Sequence, residues 1–417
     1  MEDIGAKPVE KRTSSAVDSF VIWLMGGVAM TTALVASFTY SMGVLGLALV
    51  CIAVLGIGGI MAAIWEELGR KTGLPALTIS QKTFGASGTA LLAIIFALLN
   101  VGWFGINTEV PAVMLESYFG LPAPLWSLLL GVMQIVIVLL GFEVIKGFDY
   151  ISLVIILIGS LVMVYEGFVV EGVSISLSGT IDARSFAVAL ESAGAFSLVA
   201  WCYKIPETSR FCKKDGKPWV YAIAPSLGVV LGLFLFGILG LISIASTGSP
   251  DGWNIFLLGK NMGAIGAIIA ITAIVANANT NIINLYPAVM QFLSGSEALG
   301  KKVRQPIVSA TMGAIGTILA MSGILSRVTE FLNVVGSLVV PFSFVVFVDL
   351  FIFKNKDKSK KGAYLSLLPL ISVFVGSAAA LLSSNARFLI PSWLVGGMVS
   401  GVMYLIIGVI LYRSSSY

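Results

Sequence analysis

The sequence predicts an all-α integral membrane protein of twelve transmembrane helices, and three observations carry that prediction. The first is composition: 58% of the 417 residues are hydrophobic and only 11% are charged, with a mean hydropathy of +1.00, a combination that soluble globular domains do not show. The second is a succession of apolar segments of about 20 residues or more, the length that a helix needs to cross a bilayer. The connections between them are too short to house a soluble domain. The third is the placement of charge. With the N-terminus inside, every Lys and Arg except Arg184, Lys260, Arg327 and Arg387 falls on the inner side of a twelve-span layout, and a missed or invented span would scramble that division.

Taken in order, residues 1–18 are polar and read as a flexible cytoplasmic tail, 19–412 as the transmembrane domain and 413–417 as a cytoplasmic C-terminus. The spans are expected at 19–40, 43–64, 88–114, 122–142, 148–169, 185–204, 219–246, 261–293, 305–325, 329–353, 363–384 and 390–412. A basic start followed by a full-length span, without a small-residue cleavage pattern, argues against a removed signal peptide. The positive-inside pattern places the chain in a cell (inner) membrane with both termini cytoplasmic. In span one, Gly26-Gly27 follows Trp23, and in span six Ser192-Ala193-Gly194 precedes Phe196. Such positions allow either a helix break that frees backbone groups for a ligand or close packing through small residues. The basic run Lys354 to Lys361 reads as a topology anchor that also suits anionic lipid.

Span eight carries the densest chemistry. Ala276 to Tyr286 reads Ala-Asn-Ala-Asn-Thr-Asn-Ile-Ile-Asn-Leu-Tyr, which puts four amides and a hydroxyl at a depth where lipid offers them no partner. At about 100° per residue Asn277, Thr280, Asn281 and Asn284 share one stripe, while Asn279 points nearly the opposite way. Interhelical hydrogen bonds, worth about 0.6 kcal/mol each on average, would account for one or two such residues. A cluster of this density predicts a binding site. In span three Asn100, Trp103 and Asn107 share a face at i, i+3 and i+7, pairing a flat apolar ring with carboxamides able to read donor and acceptor edges.

Several classes drop out. The chain has no His, and its three Cys lack metal-ligand spacing, so disulfide frameworks, redox chemistry and the usual transition-metal sites are not expected. No cofactor is expected beyond a coupling ion. The net charge of +4 follows from topology and gives no reason to expect a nucleic-acid partner. Enzyme chemistry wants a nucleophile with a base or a metal cluster, and a channel wants pore-lining repeats; neither is visible. Glu109 and Glu191 are the acids deepest in the spans. Glu109 lies away from Trp103 toward the outer end, which suits a structural pair; Glu191, one turn before the suspected break in span six, is the better candidate proton site.

Three stretches together resemble the nucleobase:cation symporter-1 family, which includes cytosine, purine and hydantoin transporters. They are Gly69-Arg-Lys-Thr-Gly-Leu-Pro with Lys82-Thr-Phe-Gly85, then Gly102-Trp-Phe-Gly-Ile-Asn107, then Ile205-Pro-Glu-Thr-Ser-Arg-Phe211. The resemblance implies a five-plus-five inverted-repeat (LeuT-like) core with spans one and six broken and two extra C-terminal helices. It implies import of a nucleobase or related flat heterocycle by cation symport, with sodium as the expected ion, through alternating access. Proton coupling, or an amino-acid or amine carrier of the same fold, stays open.

Residue by residue, the resemblance makes Trp103 the ring that stacks on the substrate and Asn107 an amide that binds it. Ser197, Leu198 and Ala200 would line the pocket in span six, with Asn281 and Asn284 facing it from span eight. Leu198 departs from relatives that carry an aromatic there, so Phe196 or Trp201 would have to supply the second ring. The sodium site implied takes Gly26, Gly27, Ala29 and Met30 from span one and Ala276, Asn279 and Thr280 from span eight. An amide oxygen at Asn279, where relatives carry Ser or Thr, can still serve a hard cation. The partners expected are thus a small heterocycle, sodium and the bilayer; the sequence says nothing of oligomeric state.

Overall fold

The chain enters its first helix, α1 (Ala16–Gly27), through a capping box: the Ser15 hydroxyl accepts from the Asp18 amide and the Asp18 carboxylate accepts from the Ser15 amide, which satisfies two of the end donors. This computed structural model describes residues 7–249, 252, 254–255, 263–354, 363–384 and 389–414. Lys260, Lys356, Lys358, Lys360, Lys361 and Arg387, residues 1–6 and residues 415–417 lie outside the described residues. Ahead of α1 the tail is tied down. The Val9 amide donates to the Gly73 carbonyl at 3.1 Å, the Ser14 amide to Phe211 at 3.0 Å, and the Lys213 amide back to Ser14 at 2.9 Å.

After α1 come α2 (Val35–Thr39), α3 (Gly43–Thr72), α4 (Ala76–Phe119), α5 (Ala123–Leu140), α6 (Phe142–Tyr165), α7 (Ala183–Phe196), α8 (Leu198–Trp201) and α9 (Ile205–Ser209). The chain continues with α10 (Pro218–Thr247), α11 (Ala264–Ala298), α12 (Gln305–Met321), α13 (Val328–Val348), α14 (Ala363–Ser384) and α15 (Ser392–Ser414). Among the described residues 10 helical stretches are long and apolar enough to cross a membrane, with Ala16–Gly27 and Gln305–Met321 as shorter apolar helices. The two shorter ones fall on the expected spans one and nine. The outward faces are apolar, with Ile52, Ile60, Leu161 and Leu382 each exposed by 64% or more, as lipid requires in place of water.

Spans one and six are both broken. Span one runs through α1, leaves helical geometry at Val28 and Ala29 (ψ 48° and 153°), and resumes as a 3-10 turn Met30–Leu34 before α2. Both readings of its glycines hold at once, because a Cβ on Gly27 would meet the Val229 carbonyl of α10. Only glycine permits that backbone approach. Span six breaks at Ser197, between α7 and α8. α4 and α11 form the most extensive helix contact of the fold, while α14 and α15 pack on each other and on α13 at its margin.

The stretches that carried the family resemblance interlock. A Cβ on Gly69 would meet the Ser209 hydroxyl and lie 2.7 Å from the Pro206 Cα, so no side chain fits there. The Glu207 carboxylate accepts from the Ala76 amide at 3.3 Å and so caps α4. Three basic residues counted as inner-side charges are interior: Lys204, Arg210 and Arg70 are no more than 4% exposed. Arg210 donates to the Tyr286 hydroxyl, and Arg70 to the carbonyls of Lys213 and Lys214 and to Glu67. None of the three stands in solvent.

Candidate substrate and ion site at the break of span one

A broken helix leaves amides and carbonyls that must find partners, and the residues flanking the break supply them. The Thr32 hydroxyl donates toward the carbonyls of Gly27 (2.9 Å) and Ala29 (2.6 Å). From α11, the Asn277 carboxamide oxygen accepts from the Met30 amide at 3.0 Å. From α4, the Asn107 oxygen accepts from the Thr31 hydroxyl at 3.0 Å. The break is therefore clamped between the polar faces of α4 and α11. The Thr280 hydroxyl lies 3.2 to 3.3 Å from the carbonyls of Met25, Gly26 and Ala276. One hydroxyl proton cannot serve three acceptors, so these four oxygens make an oxygen-lined position suited to a hard cation.

Of the expected sodium ligands, the structure brings Gly26, Ala276 and Thr280 together and adds Met25. The carbonyls of Gly27 and Ala29 both lie within reach of the one Thr32 hydroxyl proton, and Met30 meets α11 through its amide. Asn279 points elsewhere: its nitrogen donates to the Val275 carbonyl of its own helix at 2.7 Å, and its buried oxygen has no partner.

The expected substrate residues divide into two groups. Trp103 is buried, edge-on to Phe331 with ring centroids 5.4 Å apart and planes at 85°, and its indole nitrogen has no partner. The Asn107 and Asn277 nitrogens are also buried and unpartnered. Asn284 accepts from the buried Lys204 ammonium at 2.7 Å, which leaves its nitrogen free as well. Trp201 lies beneath Lys204, 5.7 Å from the ammonium to the ring centroid, and has an unpartnered indole nitrogen.

The second group is engaged in packing. Asn281 donates to the Phe104 carbonyl, the Thr108 hydroxyl and the Gln134 oxygen at 2.8 to 3.0 Å, which ties α11 to α4 and α5. Leu198 packs on Gly58 of α3, and the Ser197 hydroxyl donates to Ala193. Ala200 is buried in the same short helix. Phe196 leans on Phe38, centroids 6.5 Å apart, so Trp201 is the span-six ring placed beside a span-eight amide through Lys204.

The deep acids are both helix caps. Glu191 accepts from the Ser392 amide and hydroxyl at the start of α15, and Glu109 accepts from the Leu325 amide at 2.7 Å. Sequence reasoning missed Thr31 and Lys204. The Thr31-Thr32 pair, separated from the glycine doublet by Val28-Ala29-Met30, was a signal for a clamped break. Lys204, at the end of the expected span 185–204, carried only a topology signal as an inner-side charge.

Comparison with known proteins shows the family and the fold. Residues 6–409 match the family described as permeases for cytosine/purines, uracil, thiamine and allantoin. The chain is 23% identical over 373 residues to a putative purine-cytosine permease, YxlA, of Bacillus subtilis (strain 168), covering 86% of this chain and 80% of that one. It is 24% identical over 330 residues to a hydantoin permease of Microbacterium maritypicum, covering 70% and 63%. In fold it is similar to Mhp1, a nucleobase-cation-symport-1 transporter solved in a closed conformation with bromovinylhydantoin bound. The TM-score is 0.81 at 18% identity, over 99% of this chain and 96% of that one. An all-α membrane protein with this LeuT-like fold, a polar clamp at a broken helix and a family match over nearly its whole length belongs to the nucleobase:cation symporter-1 family and is a transporter, not an enzyme.

Proposed function

We propose that this transporter imports a flat, carbonyl-bearing heterocycle of the nucleobase or hydantoin type by sodium symport with alternating access. In this reading the chain crosses a cell (inner) membrane twelve times with both termini cytoplasmic, and α14 and α15 are the two helices added to the inverted-repeat core. The observation that carries it is the set of unused donors. At Asn277 and Asn284 the carboxamide oxygen is claimed by a group that can only donate, a backbone amide or an ammonium. Each nitrogen is therefore the free edge. The Asn107 nitrogen and the Trp103 indole add two more buried donors without partners.

Buried donors left unpaired cost about 1 to 3 kcal/mol each, and a ligand offering ring carbonyls or unprotonated ring nitrogens relieves that cost. A simple amine brings only an ammonium, which needs acceptors, so this donor set disfavours the amine carrier reading. Sodium enters at the oxygens of Met25, Gly26, Ala276 and Thr280, where the break of span one meets α11. The test is a thermal-shift screen of the purified full chain against uracil, hypoxanthine, cytosine, hydantoin and phenylalanine, with sodium and with choline in its place. Stabilisation by carbonyl-rich rings that requires sodium is expected; stabilisation by phenylalanine alone would reject the proposal.

A further inference from the structure

Several buried acids lie outside the site described above, among them Glu66, Asp149 and Asp349. Asp149 of α6 is fully buried, and neither carboxylate oxygen has a hydrogen-bond partner. A bare carboxylate in a protein interior is costly by several kcal/mol unless it is paired. Its position follows from the packing of α6 on α11. The two helices are antiparallel, pinned at one end by Phe142 against Tyr286, centroids 6.3 Å apart, and at the other by Gly159 against Thr272.

On α6 the residues Phe142, Asp149, Ile156 and Met163 recur every seven and are all buried. On α11 Thr272, Asn279 and Tyr286 recur at the same interval and are also buried. Seven residues return a helix to within about 20° of the same face, so these two rows form the seam. Asp149 and Asn279 each lie seven residues, about 10 Å at 1.5 Å per residue, in from the Phe142–Tyr286 contact. Counted from the Gly159–Thr272 contact, seven residues reach Ser152 and Asn279, so Asn279 lies at the level of the Asp149–Ser152 turn. Asn279 is the residue whose nitrogen is held by Val275 and whose buried oxygen is unpartnered. The Ser152 hydroxyl, one turn along the Asp149 face, is likewise buried and unpartnered. From α1, Asp18 accepts from Tyr150 at 2.7 Å, which holds α1 against α6 beside Asp149.

We propose that the Asp149 carboxylate, the Asn279 oxygen and the Ser152 hydroxyl form a second position for a monovalent cation, next to the one at Thr280. The donors are all oxygens, as a hard cation prefers, and a single carboxylate balances a single positive charge. Among the described residues no group of three acidic, Cys or His side chains could hold a more highly charged metal. Asn279 and Thr280 are consecutive and face α6 and α1 respectively, so one turn of α11 touches both positions. This adds a cation to the proposed sodium coupling and rests on that reading only for the identity of the ion.

The experiment is equilibrium binding of radioactive sodium to the purified full chain with a saturating stabilising heterocycle, at pH 6 and pH 8, in wild type, Asp149→Asn, Asn279→Ala and Thr280→Val. Asp149→Asn should bind one sodium fewer than wild type and melt no lower than wild type without sodium, because an amide needs no counter-ion. Asn279→Ala should weaken the same site about tenfold. Equal sodium stoichiometry in wild type and Asp149→Asn at both pH values overturns the proposal. So does loss of pH dependence in Asp149→Asn with sodium binding intact, since the carboxyl would then carry a proton. If Thr280→Val alone keeps full stoichiometry, the site at the break of span one fails and the Asp149 site stands.

Discussion

Replacing Trp103 by Phe separates its two proposed jobs. The indole face would stack on a heterocycle while its buried, unpartnered nitrogen donates to the same ligand. Phe keeps a ring against Phe331 and removes only the donor. A net hydrogen bond is worth about 0.5 to 1.5 kcal/mol, and 1.4 kcal/mol is a factor of ten, so the affinity for a carbonyl-bearing ring should fall about two- to tenfold. Trp103→Ala also loses stacking, worth about 0.5 to 1.5 kcal/mol beyond area, and should weaken binding by about one to two orders of magnitude. That variant opens a hole against Phe331, at a cost to the fold of about 3 to 5 kcal/mol. Phe is therefore the variant to interpret. The assay is isothermal titration of hydantoin or uracil, whichever stabilises the wild type, in saturating sodium. Unchanged affinity in Trp103→Phe for every ligand would mean that the nitrogen touches no substrate, and the donor argument would fail at its first residue.

Other outcomes follow from the same geometry. Thr280→Val should weaken sodium binding about tenfold or more, from the roughly 1.5 to 3 kcal/mol of a bond to a charged partner, while Thr280→Ser keeps it; equal sodium affinity in all three proteins would remove the site. Asn281→Leu should lower the melting temperature with less than about a threefold change in substrate affinity, because its nitrogen is engaged by Phe104, Thr108 and Gln134; the opposite pattern would put Asn281 on the substrate. Gly69→Ala should destabilise by about 1 to 3 kcal/mol, as overpacking does, since a Cβ there meets Pro206 and Ser209; a melting temperature like that of wild type would contradict the interlock.

The succession of long apolar helices was legible because bilayer thickness sets helix length. The break in span one could be read only as one of two uses of Gly26-Gly27, and the structure puts Gly27 to both. The polar ridge on α11 was legible as a ridge, since 100° per residue is enough to draw it. What it faces was not. Asn277 and Asn281 share a stripe, yet one clamps the break in span one and the other bonds to α4 and α5, a division set by helix crossing, which periodicity does not encode. Glu191 looked like a free deep acid because its partner, the start of α15, is about two hundred residues away. Lys204 and Asp149 were missed for a related reason. A charge at a predicted span end gives no sign of burial until packing shows it to be interior.

In the proposed mechanism one conformational element, the broken first span with its partner α11, binds cation and heterocycle together. The direct measurement is titration of the stabilising heterocycle into the full chain at a series of sodium concentrations with choline as replacement, paired with sodium titrations at a series of heterocycle concentrations. Linkage requires the two factors to be equal: sodium should raise heterocycle affinity by the factor by which the heterocycle raises sodium affinity, and Thr280→Val should shrink both together. Heterocycle affinity indifferent to sodium but dependent on pH would contradict the account.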